Sequence, residues 1–518
     1  MARTPLLREV QRLAAHFDRQ LSRRDFIKVS GAVVGAAAVT SPIAAFAGAA
    51  PRIAIVGGGI AGLNAALTLQ DAGVASTVYE ASTRVGGRMH SDTTSWDNGQ
   101  TSEHCGELID SGHKTILKLA NRFNLATVDL LGAEPNHSDD TYYFFRDFYA
   151  RTQAIQDFAP VYNAVHKDAS AAGFPTLYNR STPAGQALDK MSVYDWIESR
   201  VPGGHASRMG QLLDVAYNIE YGNVTMQQSS LNLVYLLAFQ PVPGNFRIFG
   251  ASDERYHIAG GNEQLPQRIA AGLSDVRTGW QMTAIARNAA GDYQLSFNTP
   301  GGAVTSTFDR VILALPFSVL RTLTYNQAGF DTLKVTAIQQ LAYGKNAKLH
   351  LQFKTRLWNQ SGPWGIGTGT SFSDRGYQNT WDVSRAQDGT TGILVDYTGG
   401  GVPLAAFKGQ PTPADAQKYA KTFLTQIEPV FPGITMQWNG RATLDAPLTN
   451  PYLLGSYSYW KVGQYTSFSG YEGVRQGRCH FAGEHCSTNF QGYMEGGAEE
   501  GARAANEILS DYKVGIFP

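Results

Sequence analysis

Short apolar runs that each end on glycine, proline or an acid are the most regular feature of the chain. Arg52-Ile-Ala-Ile-Val56 is one such run and leads straight into Gly57-Gly-Gly-Ile-Ala-Gly62. Residues 64–72 are rich in alanine and leucine, a helical composition, and Gly73 closes them. A second strand is expected at 77–79, ending on Glu80. Helical spacing of apolar positions recurs at 114–125, 192–200 and 227–237. The middle third therefore reads as mainly helical, with breaks at Pro202-Gly-Gly and Pro241-Val-Pro-Gly244. After Tyr256-His-Ile-Ala-Gly260-Gly261 a helix is expected at 263–272, then strands at 281–286 and 293–297. Asp309-Arg-Val-Ile-Leu-Ala-Leu-Pro316 is a buried-strand run closed by proline, and 345–353 alternates as a half-buried strand does. A helix follows at 413–427, a strand at 478–484, and a long helix at 492–509. No repeat or heptad array is present. The pattern is that of an α/β fold, and because its strand–glycine pieces fall at both ends and in the middle, the domains should interleave.

Strand, glycines, helix, strand and acid in that order form a dinucleotide-binding fingerprint. Gly57 permits the tight turn, Gly59 admits a pyrophosphate, and Gly62 lets helix and strand pack closely. The start of the helix, with Ile60 and Ala61, presents unpaired N–H groups and the positive end of its dipole to the phosphates. Glu80 stands about 20 residues beyond the glycines, where it can accept from ribose hydroxyls and would repel a 2′-phosphate. On these residues alone NAD and FAD remain open.

With 518 residues the chain has room for roughly two to four domains. It is 43% hydrophobic and 17% charged with no net charge, so no global field favours nucleic acid or an anionic membrane. Three cysteines are too few for a disulfide scaffold. The twin arginines of Ser22-Arg-Arg-Asp-Phe-Ile-Lys28 precede a weakly apolar stretch at 29–45 and a small-x-small cleavage site at Ala45-Phe-Ala47. Residues 1–47 are read as a twin-arginine signal peptide, too short and too polar for a stable membrane span. That expects a protein handled by the twin-arginine export machinery and delivered to the periplasm or the exterior of a bacterium. Cys479, His480, His485 and Cys486 lack the spacing of a zinc finger or ribbon, so no metal is expected.

Several further elements resemble the flavin-containing amine oxidase family, which includes monoamine oxidases, polyamine oxidases and L-amino acid oxidases; the likeness spans about 52–510. Arg84-Val-Gly-Gly87-Arg88 is similar to its second flavin motif, and Gly260-Gly261 and Ala314-Leu-Pro316 to further landmarks. Phe481-Ala-Gly483-Glu484 with Gly492-Tyr-Met494-Glu-Gly496 is similar to its C-terminal flavin segment. The resemblance implies FAD, with Gly57, Gly59, Ile60, Ala61, Gly62, Glu80, Ala81, Gly87, Arg88, Met282, Gly483, Glu484, Gly492, Tyr493 and Met494 against it. It also implies a Rossmann-like FAD-binding domain (48–113, 246–320 and 466–518) interleaved with an α+β substrate-binding domain carrying a helical segment (114–245 and 321–465).

By the same resemblance Lys348 is the active-site lysine, with Lys345 and Lys354 as rivals, and Tyr457 and Tyr493 are the two aromatic walls, with Tyr459 a rival to the first. Ser456 stands where monoamine oxidases carry a flavin-bonded cysteine, which implies non-covalent FAD. Glu107 and Ile109 lie on a segment near the substrate. In L-amino acid oxidases an arginine corresponds to Ile109, and its absence leaves Arg247 or Arg255 as candidates to bind a carboxylate. Glu107 and Asp110 would suit a cationic group. The expected activity is oxidation of a primary amine to an imine, then a carbonyl compound and ammonia, with oxygen reduced to hydrogen peroxide. An L-amino acid oxidase giving the 2-oxo acid is nearly as well supported, ahead of a flavin desaturase or dehydrogenase and a non-catalytic flavoprotein. Oligomeric state is left open, a homodimer being compatible with the sequence.

Overall fold

The computed structural model describes residues 51–239, 244, 246–401 and 411–513. The signal segment 1–47, the break at Pro241-Val-Pro243 and the last residues of the chain lie outside them.

The apolar runs assemble into one five-stranded parallel sheet, in the order Cys479–Phe481, Arg310–Leu313, Ile53–Val56, Thr77–Tyr79 and Val276–Arg277. Strands far apart in the chain thus become neighbours, as continuous apolar runs buried on both faces require. Helix Ile60–Asp71 covers one face and packs along helix Met494–Lys513. The two approach so closely that a β-carbon on Gly501 would lie 2.0 Å from the Ala61 carbonyl oxygen. Asn64 Nδ2 donates to the Ala498 carbonyl across the same seam, so its buried amide is satisfied. A four-stranded sheet from Gln281–Arg287, Tyr293–Thr299, Gly302–Phe308 and Thr324–Gln327 flanks this unit.

A second, seven-stranded sheet runs Trp438–Asp445, Ala347–Phe353, Gly392–Thr398, Asn379–Asp382, Gly367–Ser373, Asp139–Phe144 and Asp147–Phe148. Ala347–Phe353 is buried along its whole length, not half-buried as its alternation suggests. Its apolar face (Leu349, Leu351, Phe353) packs in one core with Phe423, Leu424 and Ile427 of helix Pro413–Ile427. The polar face is covered by residues 97–107; Gln352 bonds the Asp97 backbone and Gln100, and Lys348 bonds Glu107. Alternation survives in the sequence because Lys348 and Gln352 find buried partners instead of water.

The helical middle third is present as Arg151–Ala172, Pro183–Asp189, Val193–Arg200, Arg208–Tyr221 and Ser230–Leu237. Thr182, Ser192, Ser207 and Ser229 cap the last four with their hydroxyls, and Trp196, Leu212, Leu213 and Leu233 fill the core between them. No helix among the described residues is long and apolar enough to cross a membrane.

Candidate active site

A cavity of about 700 Å³ runs from the carboxyl end of the parallel sheet to the helical group and the seven-stranded sheet. At the sheet end, Gly57 turns at φ 109° and donates its N–H to the Tyr79 carbonyl at 2.8 Å. Gly62 is behind the wall, not in it: a β-carbon there would lie 1.9 Å from Gly57 O, so only glycine brings the helix this close to the turn. The helix that follows has no side-chain cap at Gly59, which leaves its first N–H groups for a ligand. Glu80 is held by Gly58 N–H at 2.7 Å and Ser82 N–H at 2.8 Å, with lone pairs remaining for hydroxyl donors.

The second glycine motif is shaped by Arg84, whose Nη2 donates to the Gly87 carbonyl at 2.7 Å. Arg88 Nη1 donates to Glu484 Oε1 and the Ser456 carbonyl, both at 2.8 Å. Glu484 also accepts from Ser458 Oγ (2.7 Å) and Gly492 N–H (2.9 Å), so it anchors Arg88 and the C-terminal segment. Burial pushes the Glu484 carboxyl up, but Arg88 and the other donors outweigh it and hold the group below its ordinary range. Ser456 Oγ is taken up by Asn346 Oδ1 at 2.6 Å.

Lys348 faces the cavity from the buried strand. Its Nζ lies 2.7 Å from Glu107 Oε2 and 3.1 Å from the Glu103 carbonyl, while Trp381 Nε1 donates to Glu107 Oε1 at 2.8 Å. Burial raises the Glu107 carboxyl, yet the charge and hydrogen bond of Lys348, with Trp381 and His257, leave it lower than usual. Glu107, expected to meet a cationic substrate group, thus has both oxygens engaged by the protein. Lys345 is exposed and Lys354 bonds the Met436 carbonyl; neither lines the cavity.

Tyr457 packs against Gly492, where a β-carbon would lie 3.6 Å from its ring, which brings it beside Tyr493. Its hydroxyl pairs with that of Tyr397 at 2.8 Å and reaches the Ile219 carbonyl at 3.2 Å. The Tyr493 hydroxyl donates to Glu220 Oε1 at 3.3 Å, and its ring stands edge-on to His113 at 5.1 Å. Burial, then the neighbouring Tyr397 and Glu220, drive the Tyr457 hydroxyl far above its ordinary pKa, and burial does the same to Tyr397. Both stay neutral. Tyr459, the rival to Tyr457, is buried outside the cavity wall, where Asn223 donates to its hydroxyl.

Of the residues expected at the cofactor and substrate, all but Gly62, Ile109 and Asp110 line the cavity. Ile109 is a correction: it is fully buried in the core beside helix Ile60–Asp71, paired through its backbone with Tyr256. Asp110 accepts from Ser252 Oγ and Glu254 N–H and does not reach the cavity. Arg255 is committed to Asp129 at 2.5 Å, outside the wall, whereas Arg247 lines it from an exposed position. Sequence reasoning missed Glu220, Trp381 and Tyr397. The run at 392–398 carries a strand signal that would have flagged the last; the other two sit in no motif.

The model of flavin containing amine oxidoreductases matches residues 60–509. This chain belongs to that family. A twin-arginine translocation signal matches residues 20–40, so the enzyme is exported across the membrane to the periplasm or beyond. The chain is 24% identical to a putative L-amino-acid oxidase, YobN, of Bacillus subtilis (strain 168) over 88% of its own length and 94% of the relative's. It is 22% identical to polyamine oxidase 1 of Zea mays over 89% and 90%. Its fold matches cyclohexylamine oxidase from Brevibacterium oxydans IH-35A and putrescine oxidase bound to putrescine. Both pairs give a TM-score of 0.75 at 19% identity, with 89% of this chain and 99% of the other covered.

The protein is accordingly a flavin oxidoreductase acting on amines, and its cofactor is FAD. The residues present fit the group: an uncapped helix start, an acid fixed by the glycine loop, and one cavity joining both to Lys348. Gly57, Gly59, Ile60, Ala61 and Glu80 would hold the adenosine and pyrophosphate end, with Arg88, Met282, Gly483 and Met494 further along the wall.

Proposed function

We propose that this enzyme is a primary-amine oxidase that binds FAD non-covalently, forming an imine that hydrolyses to a carbonyl compound and ammonia while oxygen is reduced to hydrogen peroxide. The observation that carries the amine reading is the carboxylate at the aromatic end: Glu220, bonded to Tyr493, beside the neutral pair Tyr397 and Tyr457. An ammonium approaching this end meets an opposite charge, whereas a carboxylate meets a like one. The aromatic faces then desolvate the nitrogen, which lowers the pKa of the ammonium and releases the lone pair that oxidation requires. Bound FAD supplies the acceptor for two electrons and the α-hydrogen. Lys348, fixed between Glu107 and Glu103, is held for the same end of the cavity. Ser456 supports a non-covalent cofactor because no thiol stands at that position and its hydroxyl is bonded to Asn346.

Arg247 on the cavity wall supports L-amino acid oxidation as the second reading. The two separate with a matched pair, 2-phenylethylamine and L-phenylalanine, mixed anaerobically with the holoenzyme. The amine is expected to bleach the flavin and the amino acid to leave it yellow; the reverse order would install the second reading.

A further inference from the structure

The Lys348 side of the cavity carries a histidine–carboxylate pair that the reaction above does not use. His104 lies on the segment threaded between Arg88 and Lys348: Gly106 N–H donates to the Arg88 carbonyl at 2.9 Å, and the Glu103 carbonyl accepts from Lys348. His104 lines the cavity, and its Nδ1 is 2.6 Å from Asp445 Oδ1. Asp445 ends the strand Trp438–Asp445, directly across from Lys348 in the sheet register. With Nδ1 on the carboxylate, Nε2 is the nitrogen left to exchange a proton. Behind the pair, His350 is fully buried with neither ring nitrogen bonded, and its Nδ1 stands 3.9 Å from Asp445 Oδ2. Asp445 thus sits between two imidazoles.

The groups around His104 leave it as the imidazole that holds the proton. Burial pulls its pKa down, but Asp445 first, then Asp92 and Glu103, carry it above the ordinary value. His90, stacked on its ring at 4.0 Å between centroids, is pushed down to about 3 by burial, His104 and Arg84, and is neutral. His350 is held neutral by burial, Lys348 and His104. The adjoining Cys105 thiol is driven up to about 11 by burial and stays protonated.

We propose that His104, oriented by Asp445, is the acid that supplies the proton completing hydrogen peroxide in the oxygen step. This rests on the oxidase reading above. Dioxygen is reduced by two electrons and takes up two protons. One proton arrives with the electrons from the reduced cofactor. The other leaves His104 Nε2, whose N–H bond breaks with its electron pair kept on nitrogen as the new O–H bond forms. The neutral imidazole, still on Asp445, regains its proton from water. Asp445 is the positioning residue.

The test needs no knowledge of the substrate. Wild-type, His104→Gln and Asp445→Asn holoenzymes are reduced with stoichiometric dithionite and mixed with oxygenated buffer across a pH series. Both substitutions should slow reoxidation by about a hundredfold, the scale of one positioned acid. Wild-type reoxidation should fall as pH rises through the His104 pKa; His104→Gln should lose that inflection and recover rate with added imidazole buffer. Diethylpyrocarbonate labelling of His104, read by mass spectrometry on the oxidised protein, should show a midpoint that drops in Asp445→Asn. Variants that reoxidise at the wild-type rate with the wild-type pH profile overturn the proposal. A wild-type enzyme that oxygen does not reoxidise overturns the oxidase reading, and this role with it.

Discussion

Removing the Lys348 ammonium should expose the cost of the carboxylate buried beneath it. The two side chains are only 7% and 6% exposed, and their 2.7 Å contact is the charge partner that keeps Glu107 ionised. Lys348→Met leaves Glu107 with the Trp381 donor alone, and breaking one half of such a buried pair costs about 3–5 kcal/mol. The double variant Lys348→Met/Glu107→Gln removes both charges, keeps an acceptor for Trp381, and should return to within about 1–2 kcal/mol of wild type. The pH dependence follows from the direction of each shift. In the wild type the folded-state pKa of Glu107 is depressed, so its contribution is present above the ordinary value of 4.5 and lost only as pH falls through the folded value. In Lys348→Met the same carboxyl, buried and unpaired, has a raised folded pKa. Its penalty is therefore full at neutral pH and relieved as acid protonates it. Thermal unfolding of the three holoenzymes, followed by tryptophan fluorescence between pH 4 and 8, reads both effects. Equal losses in the single and double variants, or a single-variant loss independent of pH, would mean that Lys348 does not offset a buried Glu107 charge.

Gly62→Ala forces a methyl against the Gly57 carbonyl, 1.9 Å away, and should yield purified protein without flavin absorbance; full yellow occupancy would contradict it. Acid precipitation of the holoenzyme should release the flavin into the supernatant, whereas colour that stays with the pellet would mean a covalent link. Glu220→Gln should lower kcat/KM for amines roughly tenfold, about 1.4 kcal/mol, chiefly through KM. An unchanged KM would remove Glu220 from substrate binding.

Much of the nucleotide end was legible in the sequence because it is written in the backbone. Turns such as Gly57 and contacts such as Gly62 against the strand tolerate one residue type at one spacing, and Glu80 follows at a fixed distance. The large sheet was far less legible. Asp139–Phe144 pairs with Gly367–Ser373 across more than 200 residues, and only one of its seven strands, Ala347–Phe353, was expected. Even that strand misled: Lys348 and Gln352 look solvent-facing, but residues 97–107 cover them. Glu220, Trp381 and Tyr397 reach the cavity from a helix and two strands whose meeting is purely tertiary, so no local pattern announces them. Ile109 shows the reverse failure: counting from Gly106 puts it at the substrate, but its side chain is buried in the core.

Oxidation of an amine drawn in by Glu220 and the neutral tyrosines can be read in a peroxide-coupled assay of the mature enzyme. Primary amines, polyamines and L-amino acids at equal concentration form the panel, with ammonia measured alongside. Hydrogen peroxide and ammonia should appear in equal amounts from a primary amine, with little of either from the amino acid bearing the same side chain. Turnover confined to L-amino acids, or flavin reduced by no C–N substrate at all, would contradict the amine reading.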